Sequence, residues 1–190
     1  MLALVNAWIL IGCGKTTEDS NANGPSDSKS IPSIAIHGVD GKGQVPIHTQ
    51  FADTNSRFDA IIFGQFCGEC VGTCSKMFKF EPKTGRMHAD YWDSFWKRHE
   101  GNGMNFEMEI RDRSRFLKAQ KMVDSIPEYF ITTERSGMSF GCPDCTDECG
   151  LYLETQVKGI SKEFFFDSRI EQIPLELYGF ADLLRLAIGA

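Results

Sequence analysis

The sequence predicts a single α+β domain, in which about two helices pack on one face of an antiparallel or mixed β-sheet. Three observations support this prediction: the strand-like segments fall into two groups, an amphipathic helical segment follows each group, and strands and helices do not alternate regularly. The last observation disfavours a doubly wound nucleotide-binding fold. The 190 residues suffice for one domain with its own core. We expect that domain to cover residues 33–190, because no second linker interrupts them.

Six segments carry the sequence pattern of β-strands. The first is a mostly apolar run that predicts a buried strand, and two others alternate apolar and polar residues, as half-buried strands do. A Pro/Gly turn at 81–85 joins the second and third segments into a hairpin, and Lys158 with Gly159 makes another turn. In chain order the predicted strands are 58–66, 75–80, 86–90, 104–110, 151–157 and 163–167.

Two segments carry an apolar stripe at the spacing of an α-helix. The first covers residues 112–126 and ends before Pro127, which cannot continue a helix. The second covers residues 174–187 and begins with Pro174, a residue suited to the first helical turn. The two stripes consist of Phe116, Ala119, Val123 and Ile126, and of Leu177, Phe180, Leu184 and Ala187.

Composition narrows the class of protein. The chain carries a formal net charge of −6 and 42% hydrophobic residues, with a sequence pI near 5.2 and a mean hydropathy of −0.25. These values disfavour both an intrinsically disordered chain and a multi-span membrane protein. Nucleic-acid-binding proteins usually carry a basic patch, so the acidic balance also argues against a nucleic-acid partner.

Residues 2–12 form an apolar run interrupted by one asparagine. A bilayer-spanning helix needs about 20 residues, so this run instead suits the apolar region of a signal peptide. It ends in Leu10-Ile11-Gly12-Cys13, which resembles the lipobox of bacterial lipoproteins. The resemblance implies that residues 1–12 are a cleaved signal peptide and that Cys13 is lipidated as the mature N-terminus. The alternative is a buried N-terminal strand or helix with a core cysteine.

The segment after Cys13 is polar. Residues 14–32 are rich in Ser, Asn, Asp and Gly, and such a segment cannot bury enough surface to offset its ordering entropy. We therefore expect residues 13–32 to be a lipidated cysteine with a flexible tether. By the same resemblance, Gly14 in place of Asp favours the outer membrane of a Gram-negative cell. The sequence thus predicts a lipid-anchored envelope protein whose domain faces the periplasm or the cell surface.

The other six cysteines form two triplets with the same Cys-x2-Cys-x3-Cys spacing, which is a more specific signal than a single CxxC. The Gly-Cys-Pro-Asp-Cys-x-Asp stretch that begins at Gly141 is similar to uncharacterised bacterial lipoproteins with comparable cysteine clusters, a resemblance that implies no activity. The first triplet is Cys67, Cys70 and Cys74, and the second triplet is Cys142, Cys145 and Cys149.

Three interpretations of the triplets remain open. An even number of cysteines in an oxidising compartment favours a disulfide framework, and the close spacing within each triplet favours bridges between the two triplets. Two CxxC pairs also make a four-thiolate zinc site or a soft copper(I) site, although these pairs lie unusually far apart. Finally, Cys142-Pro143-Asp144-Cys145 is similar to the CxxC of thioredoxin-like proteins. The acidic residues Asp144, Asp147 and Glu148 oppose the thiolate that disulfide exchange requires.

Four aromatic residues lie between the predicted hairpin and the next strand: Tyr91, Trp92, Phe95 and Trp96. At helical spacing Trp92 shares a face with Trp96, and Tyr91 shares a face with Phe95. Such a stripe usually packs into a core. The alternative is an exposed platform for a glycan or an envelope protein.

No catalytic motif stands out. The sequence lacks GxSxG, HExxH, Walker and GxGxxG motifs, and its four histidines are scattered at His37, His48, His88 and His99. We therefore expect a non-enzymatic binding or structural module without a cofactor, stabilised by disulfides. The rival hypothesis is a metal-binding or thiol-redox lipoprotein that uses the same cysteines.

Overall fold

A mixed β-sheet organises the part of the chain that the computed structural model describes, namely residues 51–101, 103–145 and 148–189. Its strands are β1 (Ala60–Phe66), β2 (Ser75–Glu81), β3 (Arg86–Ala89), β4 (Met108–Glu109), β5 (Met138–Phe140), β6 (Gly150–Val157) and β7 (Ile160–Asp167). Across the sheet their order is β4-β3-β2-β1-β6-β7-β5. Neighbouring strands are antiparallel, except that β5 runs parallel to β7.

Helices accompany this sheet and complete the predicted α+β class, which the structure confirms. The α-helices are α1 (Arg113–Asp124), α2 (Tyr129–Thr132) and α3 (Tyr178–Ile188), and short 3-10 helices cover Ser94–Lys97, Ile170–Gln172 and Leu175–Leu177. The side chain of Asp112 caps α1 by accepting a hydrogen bond from the Ser114 N–H at 2.8 Å. Gly189 ends α3 in the left-handed conformation that favours glycine. These two longer helices match the predicted ones.

Two hairpin turns set the register of the strands. The turn between β2 and β3 ends at Gly85, and it pairs Glu81 with Arg86. Lys158 and Gly159 both have positive φ, at 51° and 76°, in the two-residue turn between β6 and β7. Consecutive positive φ values are typical of the turn that matches the right-handed twist of a hairpin.

The first face of the sheet packs against α1 and α3 and forms the main core. Side chains of β1 alternate between the two faces, because Ile61 and Phe63 belong to this core while Ile62 and Phe66 belong to a second one. Burial on both faces explains why β1 reads as a continuous apolar run. Large side chains of the main core include Phe78, Phe80, Phe116, Phe130, Leu153, Phe164, Phe166 and Leu184.

The second face of the sheet carries a smaller core, covered by residues 90–101 and 103–107. Phe95 is fully buried there, with its ring 4.9 Å from that of Phe66 and edge-on to Tyr152 at 5.1 Å. Met104 and Phe106 pack against the same cluster. The sheet is therefore covered on both faces, by helices on one side and by an irregular segment on the other.

The predicted strand over 104–110 is wrong for most of its length. Only Met108–Glu109 pairs as a strand, on the edge of the sheet beside β3. Met104 and Phe106 pack on the second face, whereas Ile110 packs against the main core, so the alternation arises where the chain passes from one face to the other. The backbone N–H of Asn105 donates to the Ser94 hydroxyl at 2.7 Å instead of to a neighbouring strand.

No helix among the described residues is long and apolar enough to cross a bilayer. The predicted signal peptide, Cys13 and the tether lie outside the described residues. The start of the predicted domain, residues 33–50, lies outside them as well.

Candidate functional site

The six cysteines of the two triplets lie in pairs at disulfide distance. Cys67 pairs with Cys149, with their Cα atoms 4.2 Å apart. Within the triplets, Cys70 pairs with Cys74 and Cys142 with Cys145, at Cα separations of 5.6 and 5.4 Å. The chain is accordingly a disulfide-stabilised module, as the first of the three interpretations predicts.

The expectation that bridges run between the triplets holds for one bridge and fails for the other two. β1 ends at Phe66 and β6 begins at Gly150, and these two residues are partners in the antiparallel register. Cys67 and Cys149 extend this pairing by one residue, so they meet directly. The remaining cysteines then pair locally, because two or three intervening residues still allow the Cα separation of about 5.5 Å that a disulfide needs.

Three carboxylates hold the loops that contain the cysteines. Asp144, in the second triplet, accepts a hydrogen bond from the Gly68 N–H of the first triplet at 2.8 Å. Asp93 accepts from the Cys74 N–H at 2.8 Å and from the Ser75 hydroxyl. The Asp144 bond links the two triplets to each other. The Asp93 bonds link the first triplet to residues 91–96, which carry the predicted aromatic cluster and are called the aromatic segment below.

The third carboxylate, Asp167, stands at the end of β7 and is only 2% exposed. It accepts hydrogen bonds from the backbone N–H groups of Cys142, at 3.1 Å, and of Arg169, at 2.9 Å. Burial opposes its ionisation, but these N–H groups and the Arg169 guanidinium outweigh burial and hold the pKa of Asp167 below its usual value. Arg169 also pairs with Glu148 at 3.0 Å.

Two of the three acidic residues at the second triplet form contacts within the fold. Asp144 binds a backbone N–H and Glu148 pairs with Arg169, while Asp147 lies outside the described residues. In the described part of the chain, no group of three or more His, Cys, Asp or Glu side chains is arranged to hold a metal ion. Zinc or copper(I) at the triplets requires thiolates, and hence reduction of the bridges.

The structure divides the predicted aromatic cluster into one buried and three exposed residues. Phe95 lies in the second core, whereas Tyr91, Trp92 and Trp96 are 67%, 63% and 47% exposed. The helical spacing in the sequence does not apply, because the local helix, Ser94–Lys97, is a single 3-10 turn. We call the three exposed residues, Tyr91, Trp92 and Trp96, the aromatic patch.

Hydrogen bonds fix the backbone that carries the aromatic patch. The carboxylate of Asp90 accepts from the Trp92 N–H at 2.8 Å and from the Ser94 N–H at 2.6 Å. Glu107 accepts from the Trp92 indole N–H at 3.2 Å and from the Asn105 amide at 3.0 Å. The backbone of this segment is therefore held by Asp90, and the Trp92 side chain is held by Glu107.

A polar network beneath the aromatic segment escaped the sequence analysis. The buried hydroxyl of Tyr152 lies 2.9 Å from a carboxylate oxygen of Glu154 and 2.8 Å from one of Glu163. Burial, followed by the charges of Glu154 and Glu163, raises the pKa of Tyr152, so the phenol stays protonated. One signal of this network is present in the sequence. Tyr152 lies on the face of β6 that otherwise carries polar residues, and a large aromatic side chain there indicates that a second layer of structure covers that face.

Arg98 ties this network to the aromatic segment. Its guanidinium lies 4.4 Å from the ring centroid of Phe95 and 5.5 Å from that of Phe165. The Arg98 Nε atom is 3.4 Å from a Glu163 oxygen, and His99 Nε2 is 3.6 Å from the other Glu163 oxygen. Of the four histidines, His99 thus contacts a carboxylate near the surface, and His88 lies in β3.

Comparison with known protein families, curated proteins and solved structures gives no match. The fold and the three bridges together define a disulfide-stabilised α+β module. Its functional assignment rests on the side chains of this chain alone.

Proposed function

We propose that the protein is a lipid-anchored module of the bacterial cell envelope that binds a partner through the aromatic patch. The observation that supports binding is the exposure of Tyr91, Trp92 and Trp96 on a segment that Asp90 and Glu107 hold in place. Exposed aromatic side chains that are already ordered lose little conformational entropy on binding, which is why they often dominate interfaces.

The cellular address in this proposal rests on the lipobox-like residues before Cys13 and on the polar tether behind it. The paired cysteines support the same address, because disulfides persist in an oxidising envelope and are rare in the cytosol. A flexible tether would let the domain reach a partner while the lipid stays in the membrane.

The anchor is tested by replacing the lipidated residue. We expect Cys13→Ser to abolish labelling with radioactive palmitate and to release the protein into the soluble fraction. The matched control is a Cys70→Ser/Cys74→Ser double variant, which also loses cysteines but should keep both the label and the membrane association. Continued membrane association of Cys13→Ser would overturn the lipid anchor.

The binding surface is tested in living cells with a photo-crosslinking amino acid. Incorporation at Tyr91 or at Trp96 should give the same crosslinked product, because both side chains belong to one patch. Incorporation at Tyr129, an exposed aromatic residue on α2, is the control and should not give that product. A product that forms equally well from all three positions would argue against the aromatic patch.

A second candidate function uses the cysteines themselves, as a metal-binding or thiol-redox site. The observation in its favour is that both members of the Cys142-Pro143-Asp144-Cys145 pair are exposed. Intact mass of the mature chain isolated from the envelope separates the hypotheses. Three bridges without alkylation or metal adduct would support the disulfide module. Alkylatable thiols would favour redox chemistry, and a native adduct of zinc or copper would favour metal binding.

A further inference from the structure

Two members of the aromatic patch form a corner. The rings of Tyr91 and Trp92 lie 5.4 Å apart at 88° to each other, and more than half of each side chain is exposed. Two perpendicular rings present π surfaces in two directions, as the walls of an aromatic cation site do. We call this pair the aromatic corner.

A fixed negative charge stands beside the aromatic corner. Glu107 binds the indole N–H of Trp92 through one carboxylate oxygen and the Asn105 amide through the other. The hydrogen bonds from Asn105 and then from Trp92 lower the pKa of Glu107, so this side chain is a carboxylate at neutral pH. Asp90 adds a second carboxylate, bonded to the Trp92 backbone N–H.

Two cations follow the aromatic corner in the chain, Lys97 and Arg98. The guanidinium of Arg98 stacks on Phe95 and Phe165, beneath the segment. Lys97 lines a depression together with Glu100, Gly101 and Gly103. The aromatic corner therefore combines two exposed aromatic rings with a carboxylate, in a protein whose net charge is −6.

We propose that the aromatic corner binds an organic cation, namely the ammonium or guanidinium group of a basic segment on a protein partner. The inference rests on the proposed function, because it names the chemistry of the partner that the aromatic patch binds. Cations are attracted to the faces of Trp and Tyr, and the Glu107 carboxylate adds a direct charge contact. An anionic partner would be repelled by the same carboxylates.

The probe is a Gly-Lys-Gly-Lys-Gly peptide, compared with the same peptide carrying acetylated lysines. Binding to the mature protein is followed through the indole N–H resonance of Trp92. We expect the cationic peptide to shift this resonance in a saturable way, and the acetylated peptide to bind at least about fivefold more weakly. Added salt should weaken the interaction, because the site is exposed.

Two variants remove one component each. Trp92→Leu keeps an apolar side chain but removes the π face, and Glu107→Gln removes the charge while keeping an oxygen for the indole N–H. Each should weaken cationic peptide binding by about fivefold or more, as seen from the amide resonances of neighbouring residues. Tyr129→Leu is the matched control, and it should bind as the original protein does.

Equal binding of both peptides would overturn the proposal, and so would the absence of any shift up to the solubility limit of the cationic peptide. A shift with chitotriose, a neutral sugar, and none with the cationic peptide would also overturn it, and would identify the aromatic patch as a glycan platform. Each result leaves the membrane and crosslinking experiments to decide the proposed function separately.

Discussion

The two cysteine triplets have identical spacing in the sequence, but corresponding cysteines of the two triplets form different kinds of bridge in the structure. In the first triplet the leading residue, Cys67, forms the long-range bridge and the last two residues pair locally. In the second triplet the last residue, Cys149, forms the long-range bridge and the first two residues pair locally. The order of the long-range and the local bridge along the chain is thus reversed between the two triplets.

Strand direction explains the reversal. β1 leads into the first triplet, whereas β6 leads out of the second, and the two strands are antiparallel neighbours. The first cysteine of the first triplet therefore meets the last cysteine of the second triplet, whatever the spacing of the other cysteines. A sequence echo of this kind does not imply an internal repeat.

The bridges also differ in the length of chain that they close. The sequence separation is 82 for Cys67–Cys149, 4 for Cys70–Cys74 and 3 for Cys142–Cys145. In the chain-entropy model, a bridge that closes the long loop raises the free energy of the unfolded state by about 4.5 kcal/mol. A bridge that closes one of the short loops raises it by about 2 kcal/mol. Similar triplets therefore contain one strong and two weak stabilising links.

The largest expected effect is the loss of the long-range bridge. A Cys67→Ala/Cys149→Ala double variant should lower the free energy of unfolding by about 4 to 5 kcal/mol, because the unfolded chain regains the freedom of the long loop. Urea denaturation under oxidising conditions, compared with the unmodified protein, measures the loss. A loss no greater than that of a short-loop variant would contradict the assignment of this bridge as the main link.

The local bridges should resemble each other despite their different triplets. Cys70→Ala/Cys74→Ala and Cys142→Ala/Cys145→Ala are each expected to cost about 2 kcal/mol, since their loops are almost equally short. The same urea titration tests both. Clearly unequal losses would mean that the surrounding contacts of the two loops, and not loop length, determine their stability.

The hydrogen bond between the triplets should matter less than any bridge. Asp144→Gly removes the acceptor for the Gly68 N–H at a position whose φ of 66° glycine adopts without strain, and it should cost about 1 kcal/mol of unfolding free energy. Glu134→Ala, at an exposed position, is a control with no expected change. An unchanged stability of Asp144→Gly would indicate that water replaces the carboxylate at no cost.

The smallest expected effect concerns acid stability at the second triplet. The pKa of Asp167 is lowered in the folded protein, so its ionised form adds stability above its usual pKa of 3.8. This contribution is lost as the pH falls through the lower, folded value. The free energy of unfolding is measured by urea denaturation between pH 7 and pH 2. Below about pH 4 it should fall less steeply with decreasing pH in Asp167→Asn than in the original protein. Equal slopes would contradict this role.

The strands and hairpins that depend on local sequence could be predicted. Alternation defines β6, a Pro/Gly turn defines the β2–β3 hairpin, and Lys158-Gly159 defines the turn before β7. β5 could not be predicted, because three residues show no period and its parallel pairing with β7 depends on distant sequence. The expectation of bridges between the triplets failed for two of the three bridges for the same reason, since the pairing follows from the register of β1 and β6.

The aromatic cluster illustrates a different limit of sequence analysis. Residue type placed Tyr91, Trp92, Phe95 and Trp96 in one group, but the spacing argument assumed an α-helix that the structure does not form there. In the 3-10 turn, Phe95 enters the second core while Trp96 stays half exposed. Which aromatic residue is buried depends on the layer beneath it, formed by Phe66 and Tyr152, and neither is adjacent in sequence.

The position of β1 has a mechanical consequence. Among the strands of residues 51–189 that the structure describes, β1 is the first that a pulling force from the N-terminal side reaches, and it lies between β2 and β6 instead of at an edge. Such a strand must break its ladders on both sides together before it can leave the sheet. Even then, the link between Cys67 and Cys149 limits how much chain can extend before covalent bonds bear the load.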